Sequence, residues 1–265
     1  MRRLLIRPGA IGDCILCFPA MQHLAANYTE VWVPSAVVPL VQFADRVTSL
    51  SATGIDLVGV GDLAAPDDLK ERLRSFDEVV SWYGANREEF QNAIRKLGVP
   101  CTFHRALPPE TDLRHATDFF CAQVGAPPGL LPRISVRPAC RRRTVVIHPF
   151  SGSTRKNWPL TSFCELASRL PWTVEWTAGP EEALPEATRF ENLSDLASWI
   201  AGTDLYIGND SGVTHLAAAT GVKTLALFQV TDPAKWAPRG PNVVVLEKPS
   251  VASALSAAKQ LLGTS

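Results

Sequence analysis

Short apolar runs alternate with stretches of helical periodicity along most of the chain. Such runs predict buried strands, and they lie at residues 3–7, 30–33, 57–60, 79–82, 144–147, 173–177, 205–207, 223–228 and 243–246. Helical spacing predicts helices at 13–26, 67–74, 88–97, 111–124, 163–170, 194–200, 216–219 and 251–262. Pro19 should kink or break the first helix, Ser162 with Glu165 should form a capping box, and Ser194 should cap the next helix. Strands that alternate with helices predict an α/β fold with parallel sheets.

The alternation stops between Gly125 and Arg143 and then begins again. This segment contains four prolines and five arginines, a composition typical of a linker. The 265 residues suit two domains of about 130 residues each. We therefore expect an N-terminal domain at 1–130 and a C-terminal domain at 143–265, joined by a linker at 131–142. The arginines could bind a phosphate or an anionic glycolipid, but a solvated hinge is the favoured interpretation.

Composition narrows the class of partner and the compartment. The chain is 46% hydrophobic and has 26 basic and 26 acidic residues, so it is not of the disordered class and has no general attraction to nucleic acid. The apolar run after Arg2 and Arg3 has three residues, whereas a signal peptide needs roughly seven to fifteen. No uncharged apolar stretch approaches the length of about 20 residues that a membrane span needs. We expect a cytoplasmic protein with a small-molecule partner and at most peripheral contact with the membrane.

The cysteines predict reduced thiols rather than a redox or metal centre. The six cysteines, at positions 14, 17, 101, 121, 140 and 164, are mostly in apolar contexts. Cys14 and Cys17 have the spacing of a redox dithiol, but they share an apolar helix face with Ile15 and Leu16. No second cysteine pair or nearby histidine completes a zinc site. We expect neither a bound metal nor a cofactor.

The stretch 205–221, LYIGNDSGVTHLAAATG, carries the strongest chemical signal. It predicts a buried strand, a polar turn and a helix, and α/β proteins bind ligands at such turns. The polar part contains Gly208, Asp210, Ser211, Gly212, Thr214 and His215. The glycines would let the backbone approach a ligand, and Asp210 or Ser211 could cap the helix while its first N–H groups bind a phosphate. The alternative is a structural turn with an aspartate cap and a buried histidine.

Two further segments, taken with this turn, resemble a known family. RPGAIGDCILCFP occupies 7–19 and HPFSGSTRKNWP occupies 148–159, and TDP follows the turn at 231–233. In this order the segments resemble glycosyltransferase family 9, which contains the lipopolysaccharide heptosyltransferases. The resemblance implies GT-B architecture, in which two Rossmann-like domains with parallel sheets face each other across a cleft. It places the acceptor on the N-terminal domain and the nucleotide-sugar donor on the C-terminal domain.

Asp13 follows the first turn and is the expected catalytic residue. A helix-start carboxylate that interacts favourably with the helix dipole is the structural alternative. The resemblance implies that Asp13 is the general base that takes the proton from the acceptor hydroxyl. Inversion at the sugar needs this single carboxylate, whereas a retaining double displacement also needs a nucleophile.

The diphosphate leaving group needs positive charge. The sequence contains no Asp-x-Asp triplet that could hold a metal, so cationic and backbone donors are expected to stabilise the diphosphate. Lys156 is the expected cation, and a solvated loop lysine is the alternative interpretation. The expected donor-binding set is Ser151, Lys156, Asp210, Ser211, Gly212, Thr214 and His215, with Gly12, Ser153 and Glu182 as further candidates.

The resemblance implies a metal-independent, inverting transfer of a sugar from a nucleotide-diphosphate donor to a glycan. The expected sugar is a heptose, the donor ADP-heptose and the acceptor a lipopolysaccharide core or another glycan. Gln229 and Val230 stand where many relatives carry Gly-Pro, which leaves the base and sugar of the donor open. A nucleotide-sugar-binding protein without transfer activity is one alternative. A Rossmann-type oxidoreductase is the other, and the absence of a G-x-G-x-x-G fingerprint argues against it.

Overall fold

The chain divides into two compact units. The structure is a computed structural model that describes residues 1–60, 66–139 and 143–264. The first unit comprises Met1–Asp112 with Thr117–Gly129, and the second comprises Leu113–Ala116 with Leu130–Ser265. Residues 131–139 of the expected linker thus belong to the second unit, where the buried Ile134 donates its N–H to the Ala219 carbonyl at 2.9 Å. Residues 140–142, with Cys140 and two of the arginines, lie outside the described residues.

The first unit contains one parallel sheet of five strands, in the order β3-β2-β1-β4-β5. Its strands are β1 (Arg2–Ile6), β2 (Tyr28–Val33), β3 (Arg46–Ser49), β4 (Glu78–Ser81) and β5 (Cys101–Phe103). Its helices are α1 (Ile11–His23), α2 (Asp67–Arg74), α3 (Glu88–Lys96) and α4 (Ala116–Gln123), with short 3₁₀ helices at Ser35–Leu40, Leu50–Ala52 and Ile55–Leu57. This strand order is that of a Rossmann sheet, whose chain reverses direction across the sheet between β1 and β4.

The second unit contains another parallel sheet of five strands, in the order β10-β9-β8-β6-β7. Its strands are β6 (Thr144–His148), β7 (Thr173–Trp176), β8 (Leu205–Asn209), β9 (Thr224–Phe228) and β10 (Val243–Glu247). Its helices are α5 (Leu160–Arg169), α6 (Leu193–Ala201), α7 (Gly212–Thr220), α8 (Pro233–Trp236) and α9 (Val251–Leu262), with a 3₁₀ helix at Thr154–Lys156. Its topological switch point lies between β6 and β8, so the segments that follow these two strands meet at one place.

The central strands could be predicted from the sequence because they are buried along their whole length. Every residue of β6, β8 and β9 is buried, as expected for strands covered by helices on both faces. In the second unit the core beside these strands is formed by Phe163 and Leu166 of α5 together with Ala254 and Ala258 of α9. Within the described ranges, no helix is both long enough and apolar enough to cross a lipid bilayer.

Several local predictions were wrong. The strand expected at 57–60 is absent, because this segment contains the end of a 3₁₀ helix and a turn, and Leu57 and Val60 are 44% and 42% exposed. The strands β3 and β5 were not predicted, since their sequences, RVTS and CTF, contain no two consecutive apolar residues. The first helix starts at Ile11 and continues through Pro19 without a break.

The predicted caps of α5 and α6 were also wrong. Helix α5 begins directly after Pro159, so Ser162 lies inside its first turn and forms no capping box. Helix α6 is capped by Asn192, whose side-chain oxygen accepts the Asp195 N–H at 2.9 Å. Ser194 is therefore the second residue of that helix and not its cap.

Candidate active site

Asn209, at the end of β8, ties the loop after β6 to the switch point of the second unit. Its side chain is fully buried; Oδ1 accepts the Trp158 N–H at 2.8 Å, and Nδ2 donates to the Pro149 carbonyl at 2.8 Å. The Trp158 indole in turn donates to the Pro249 carbonyl at 3.0 Å. Because both ends of the loop 149–158 are fixed, the 3₁₀ turn that carries Lys156 lies beside the residue that follows Asn209.

That residue is Asp210, and its carboxylate is surrounded by donors. Lys156 Nζ lies 2.7 Å from Oδ2, and the Thr231 hydroxyl donates to the same oxygen at 2.6 Å. His215 Nε2 lies 3.9 Å from Oδ1, which is longer than a direct hydrogen bond. The side chains of Asp210 and His215 are each 6% exposed, whereas that of Lys156 is 34% exposed. These four residues are referred to as the Asp210 cluster.

The other members of the Asp210 cluster keep the carboxylate of Asp210 ionised. Burial by itself raises the pKa of Asp210, but the His215 ring, the Lys156 ammonium and the Thr231 hydroxyl outweigh that effect. The net result is a pKa lowered from 3.8 to about 2. The cluster therefore holds a negative charge next to a partly exposed ammonium group.

The turn after Asp210 leads into helix α7 and presents free backbone donors. Ser211 is the cap, and its hydroxyl accepts the Thr214 N–H at 3.3 Å. The N–H groups of Gly212 and Val213 have no acceptor within the described part of the chain. These groups and the positive end of the helix dipole form a place where an anion is stabilised.

Thr214 and Gly208 fix the shape of this turn. The Thr214 hydroxyl is fully buried and donates to the Asn209 carbonyl at 2.5 Å. A Cβ at Gly208 would lie 2.5 Å from the Tyr206 hydroxyl and 2.8 Å from the Thr214 hydroxyl. The missing side chain of Gly208 thus makes room for two buried hydroxyls, and the close approach of a ligand to its backbone stays a prediction. A contact between Thr214 and a donor stays a prediction.

The serines of the loop after β6 are engaged within the loop. Ser151 Oγ lies 2.8 Å from the Ser153 carbonyl and 2.7 Å from Asn157 Oδ1, so its single proton serves one of these acceptors at a time. The Ser153 carbonyl also accepts the Lys156 N–H at 2.9 Å. Both serines are partly exposed and shape the turn that carries Lys156.

Glu182 is held by a buried histidine at the end of β6. His148 Nε2 lies 3.0 Å from Glu182 Oε2, and the Gly179 N–H donates to the same oxygen at 2.6 Å. Partial burial raises the pKa of Glu182, but the bonds from His148 and Gly179, with the charge of Arg189, lower it overall. The candidate Glu182 is therefore an ionised carboxylate with one oxygen occupied.

Asp13 lies in the first unit, in the first turn of α1 and next to the switch point between β1 and β4. Its Oδ2 accepts the Ala10 N–H at 3.3 Å, and its side chain is partly exposed. Gly9 adopts a φ of +117°, and a Cβ there would lie 3.3 Å from the carboxylate. The candidate Gly12 is the buried second residue of this helix. The turn thus presents a carboxylate that has few contacts of its own.

The side chain of Arg7 holds the turn that carries Asp13 in place. The side chain is fully buried, and its guanidinium donates to the carbonyls of Asp13 and Ala106, each at 2.9 Å. The guanidinium carbon also lies 4.6 Å from the centre of the Phe120 ring. A buried arginine whose hydrogen bonds go to backbone carbonyls fixes the position of the chain that carries Asp13.

Cys14 and Cys17 follow Asp13 in helix α1. Both residues are fully buried, and burial raises the pKa of each thiol to about 12. A redox dithiol needs an accessible thiolate, so this pair is part of the core. Cys101 and Cys164 depart from the expected burial, since the first is partly exposed and the second is exposed.

The structure adds three residues that sequence reasoning left without a role. Thr231 donates to the Asp210 carboxylate, Asn209 holds the loop that carries Lys156 through its bond to the Trp158 N–H, and Arg7 donates to the Asp13 carbonyl. All three occur inside the motifs quoted above, but a motif does not show which side chain faces inward. The signal available in the sequence for Asn209 and Arg7 was a polar residue at the end of an apolar run that predicts a buried strand.

Comparisons with solved structures agree with this architecture. A glycosyltransferase family 9 structure from Veillonella parvula DSM 2008 has a TM-score of 0.77 and 18% identity, covering 98% of this chain and 97% of that chain. The E. coli ADP-heptose lps heptosyltransferase II has a TM-score of 0.77 and 16% identity, covering 99% and 98%. The E. coli heptosyltransferase WaaC with ADP has a TM-score of 0.68 and 17% identity, covering 99% of both chains. No curated protein matches the sequence.

Two parallel five-stranded sheets with flanking helices define the GT-B fold class, as in these structures. A family model described as glycosyltransferase family 9 (heptosyltransferase) matches residues 110–261, more than half of the chain. The chain therefore belongs to glycosyltransferase family 9.

Proposed function

We propose that this glycosyltransferase transfers a heptose from ADP-heptose to a lipopolysaccharide core or another glycan, with inversion and without a divalent metal. The Asp210 cluster, next to the free N–H groups of Gly212 and Val213, is the observation that carries the proposal. An ammonium group and a helix N-terminus at one switch point are suited to a diphosphate.

The second unit supplies the donor side of the proposed reaction. Lys156 and the start of α7 stabilise the charge that develops on the leaving diphosphate as the sugar bond breaks. Asp210 keeps Lys156 in place through the 2.7 Å ion pair. Ser151, Ser211, Thr214, His215 and Ser153 belong to the proposed donor site with Glu182, and Glu182 keeps one carboxylate oxygen for a ligand hydroxyl.

The first unit supplies the proposed base. The Asp13 carboxylate accepts one long hydrogen bond, from the Ala10 N–H, and is partly exposed, so it can take a proton from an acceptor hydroxyl. One carboxylate of this kind is sufficient for inversion, because the acceptor oxygen itself attacks the anomeric carbon. Gly12 is proposed to support this turn.

Heptose and ADP are proposed on the basis of the relatives. WaaC has been solved with ADP and with ADP-2-deoxy-2-fluoro heptose. The switch point of the second unit has the polar groups that such a ligand needs. The acceptor is proposed from the family alone.

Calorimetric titration with ADP, GDP and UDP tests the donor assignment. We expect ADP to bind the wild type most tightly and Lys156→Ala to weaken its binding at least about tenfold. Lys223→Ala is the matched control, since this exposed lysine precedes β9 at the opposite edge of the same sheet. Equal affinity of the Lys156 and Lys223 variants for ADP would contradict the donor site.

A chelation assay tests the metal-independent mechanism. Release of ADP from ADP-heptose in the presence of a lipopolysaccharide-core acceptor should continue unchanged in EDTA, because Lys156 and the helix N-terminus supply the positive charge. Loss of turnover that magnesium or manganese restores would show that the reaction needs a metal.

A further inference from the structure

A network of three hydroxyl groups lies at the start of α7 in the second unit. Its central atom is Thr214 Oγ1, which lies 3.2 Å from the Tyr206 hydroxyl and 3.1 Å from Ser211 Oγ. Tyr206 and Thr214 have no accessible surface, whereas Ser211 is 9% exposed. Ser211 is therefore the member through which this hydroxyl network can act on a ligand.

The Asn209 carbonyl fixes the direction of the hydrogen bonds in the hydroxyl network. A carbonyl oxygen can only accept, so the single hydroxyl proton of Thr214 goes to Asn209, at 2.5 Å. Thr214 Oγ1 is then an acceptor for both of its hydroxyl neighbours, with one lone pair for each. It follows that Tyr206 donates to Thr214 and that Ser211 can donate to the same oxygen.

The Tyr206 hydroxyl is a constant donor in the hydroxyl network. Burial raises the pKa of this hydroxyl, so it keeps its proton. Gly208 makes room for it, because a Cβ at that position would lie 2.5 Å from the hydroxyl oxygen. A buried donor that loses its acceptor is costly, so Tyr206 occupies one lone pair of Thr214 Oγ1.

The Ser211 proton, in contrast, has two possible directions. Ser211 Oγ accepts the Thr214 N–H at 3.3 Å, which fixes the oxygen but leaves the hydroxyl proton free to rotate. When that proton turns from Thr214 to a ligand, Tyr206 still satisfies Thr214 Oγ1. Without the Tyr206 hydroxyl, the same rotation would leave a buried acceptor unpaired, and the Ser211 proton would be held towards Thr214.

We propose that Tyr206 is a positioning residue of the donor site, because its hydroxyl makes the Ser211 proton available to an oxygen of the bound diphosphate. The inference rests on the proposed function, in which the diphosphate lies at the start of α7. Tyr206 does not touch the ligand and acts through Ser211 alone. Lys156 supplies positive charge to the diphosphate, whereas Ser211 supplies a directed hydrogen bond that depends on Tyr206.

A double-mutant cycle measured by calorimetric titration tests the inference. The ligand is whichever of ADP, GDP and UDP binds the wild type most tightly, with ADP expected. Tyr206→Phe removes one hydroxyl, and Ser211→Gly removes the other at little cost to the helix cap. We expect each single variant to weaken nucleotide binding about tenfold, the effect of one lost hydrogen bond to a charged group. In the Ser211→Gly background, Tyr206→Phe should change the affinity by less than about twofold.

Tyr28→Phe is the matched control, since it removes a tyrosine hydroxyl in the first unit, where that hydroxyl donates to Glu30 at 3.4 Å. It should leave the affinity for the nucleotide unchanged. Denaturant unfolding of each variant accompanies the titrations. A Tyr206 side chain that only packs in the core would lower the free energy of unfolding when changed and leave the affinity of the folded protein as it was.

The outcomes separate this inference from the proposed function. A wild type that binds none of the three nucleotides would overturn the proposed donor site and the role of Tyr206 with it. A wild type that binds, together with a Tyr206→Phe variant of wild-type affinity or with an equal effect of Tyr206→Phe in both backgrounds, would overturn the role of Tyr206 alone. If Tyr206→Phe fails to fold, Thr214→Val retains the shape and removes the acceptor that competes for the Ser211 proton. An affinity at or above the wild-type value is then expected, and a tenfold loss would overturn the inference.

Discussion

At the scale of single residues, Asp210 is an ionised carboxylate in an almost closed environment. Removing such a charge from water is costly, and Lys156 and Thr231 offset that cost at distances of 2.7 and 2.6 Å. The arrangement is weak evidence for stability by itself. Its more direct consequence is that the Lys156 ammonium is held in one position near the start of α7.

Asp13→Asn and Lys156→Ala should separate the two proposed roles. Asparagine retains an oxygen that can accept the Ala10 N–H but cannot act as a base. Asp13→Asn should therefore leave ADP binding nearly intact and lower turnover by about 100- to 10,000-fold. Lys156→Ala should weaken ADP binding and turnover together.

Calorimetric titration and steady-state kinetics of both variants check this division. His215→Ala provides a third comparison. Loss of a histidine that contacts the diphosphate would lower the affinity for ADP, whereas loss of a histidine that only packs in the core would lower only the stability. Loss of ADP binding in Asp13→Asn together with wild-type ADP binding in Lys156→Ala would show that the roles are assigned to the wrong residues.

The pKa of Asp210 makes a prediction about acid stability. Because folding lowers this pKa from 3.8 to about 2, the ionised carboxylate contributes stability above pH 4, and the contribution is lost as the pH falls through about 2. The contribution should decrease by about 1 kcal/mol between pH 6 and pH 3 and by about 2 kcal/mol on full protonation. Asp210→Asn should lack this component.

Denaturant unfolding at pH 6 and pH 3 measures the difference. The exposed Asp56→Asn variant serves as control and should follow the wild type. Equal acid sensitivity of wild type and Asp210→Asn would show that the carboxylate is not stabilised by its neighbours.

At the scale of elements, β8, its turn and α7 form one tightly packed piece. Strand β8 is buried along its whole length, and the hydroxyls of Tyr206 and Thr214 lie 3.2 Å apart behind Gly208. Asn209 connects this piece to the loop after β6. A change in the packing of β8 should therefore be transmitted to Asp210 and Lys156.

Gly208→Ala tests this packing. The added methyl group would lie 2.5 Å from the Tyr206 hydroxyl, which is fully buried. We expect a loss of about 1–3 kcal/mol in the free energy of unfolding, the usual cost of overpacking a core. Gly152→Ala, which meets nothing within 4 Å, should change stability by less than about 0.5 kcal/mol. Similar unfolding free energies for the two variants would refute the packing argument.

At the scale of the whole molecule, each unit has a different version of the same α/β design. The first sheet has its switch point between β1 and β4, and the second has it between β6 and β8. In each unit the residue with the proposed role follows a strand at that point. Each unit thus carries one of the two proposed sites at the carboxyl edge of its sheet.

Limited proteolysis tests the division into units. Arg133 is exposed and lies four residues after Gly129, where the first unit ends. Trypsin should cut early between Gly125 and Arg143 and leave two protected fragments, because neither sheet is interrupted there. Early protected fragments with an end inside β1–β5 or β6–β10 would contradict the predicted organisation. Mass spectrometry of the fragments identifies the cuts.

The sequence by itself determined the elements whose signal is local. Buried strands such as β6 and β9 are continuous apolar runs, and α2 was predicted at the residues it occupies. The motifs around Asp13, Lys156 and Asp210 were visible because glycine, proline and polar residues interrupt apolar segments. These features depend on neighbours within a few residues, so they can be read along the chain.

Only the tertiary structure decided which polar groups face each other. Lys156 and Asp210 are 54 residues apart in sequence, and the strand order that brings β6 beside β8 is what joins them. The short strands β3 and β5, the cap at Asn192 and the packing of Gly208 likewise depend on contacts with distant residues. The unpartnered Nε2 of Gln229 is likewise a property of the folded surroundings and not of the residue type, because hydrogen-bond partners come from other parts of the chain.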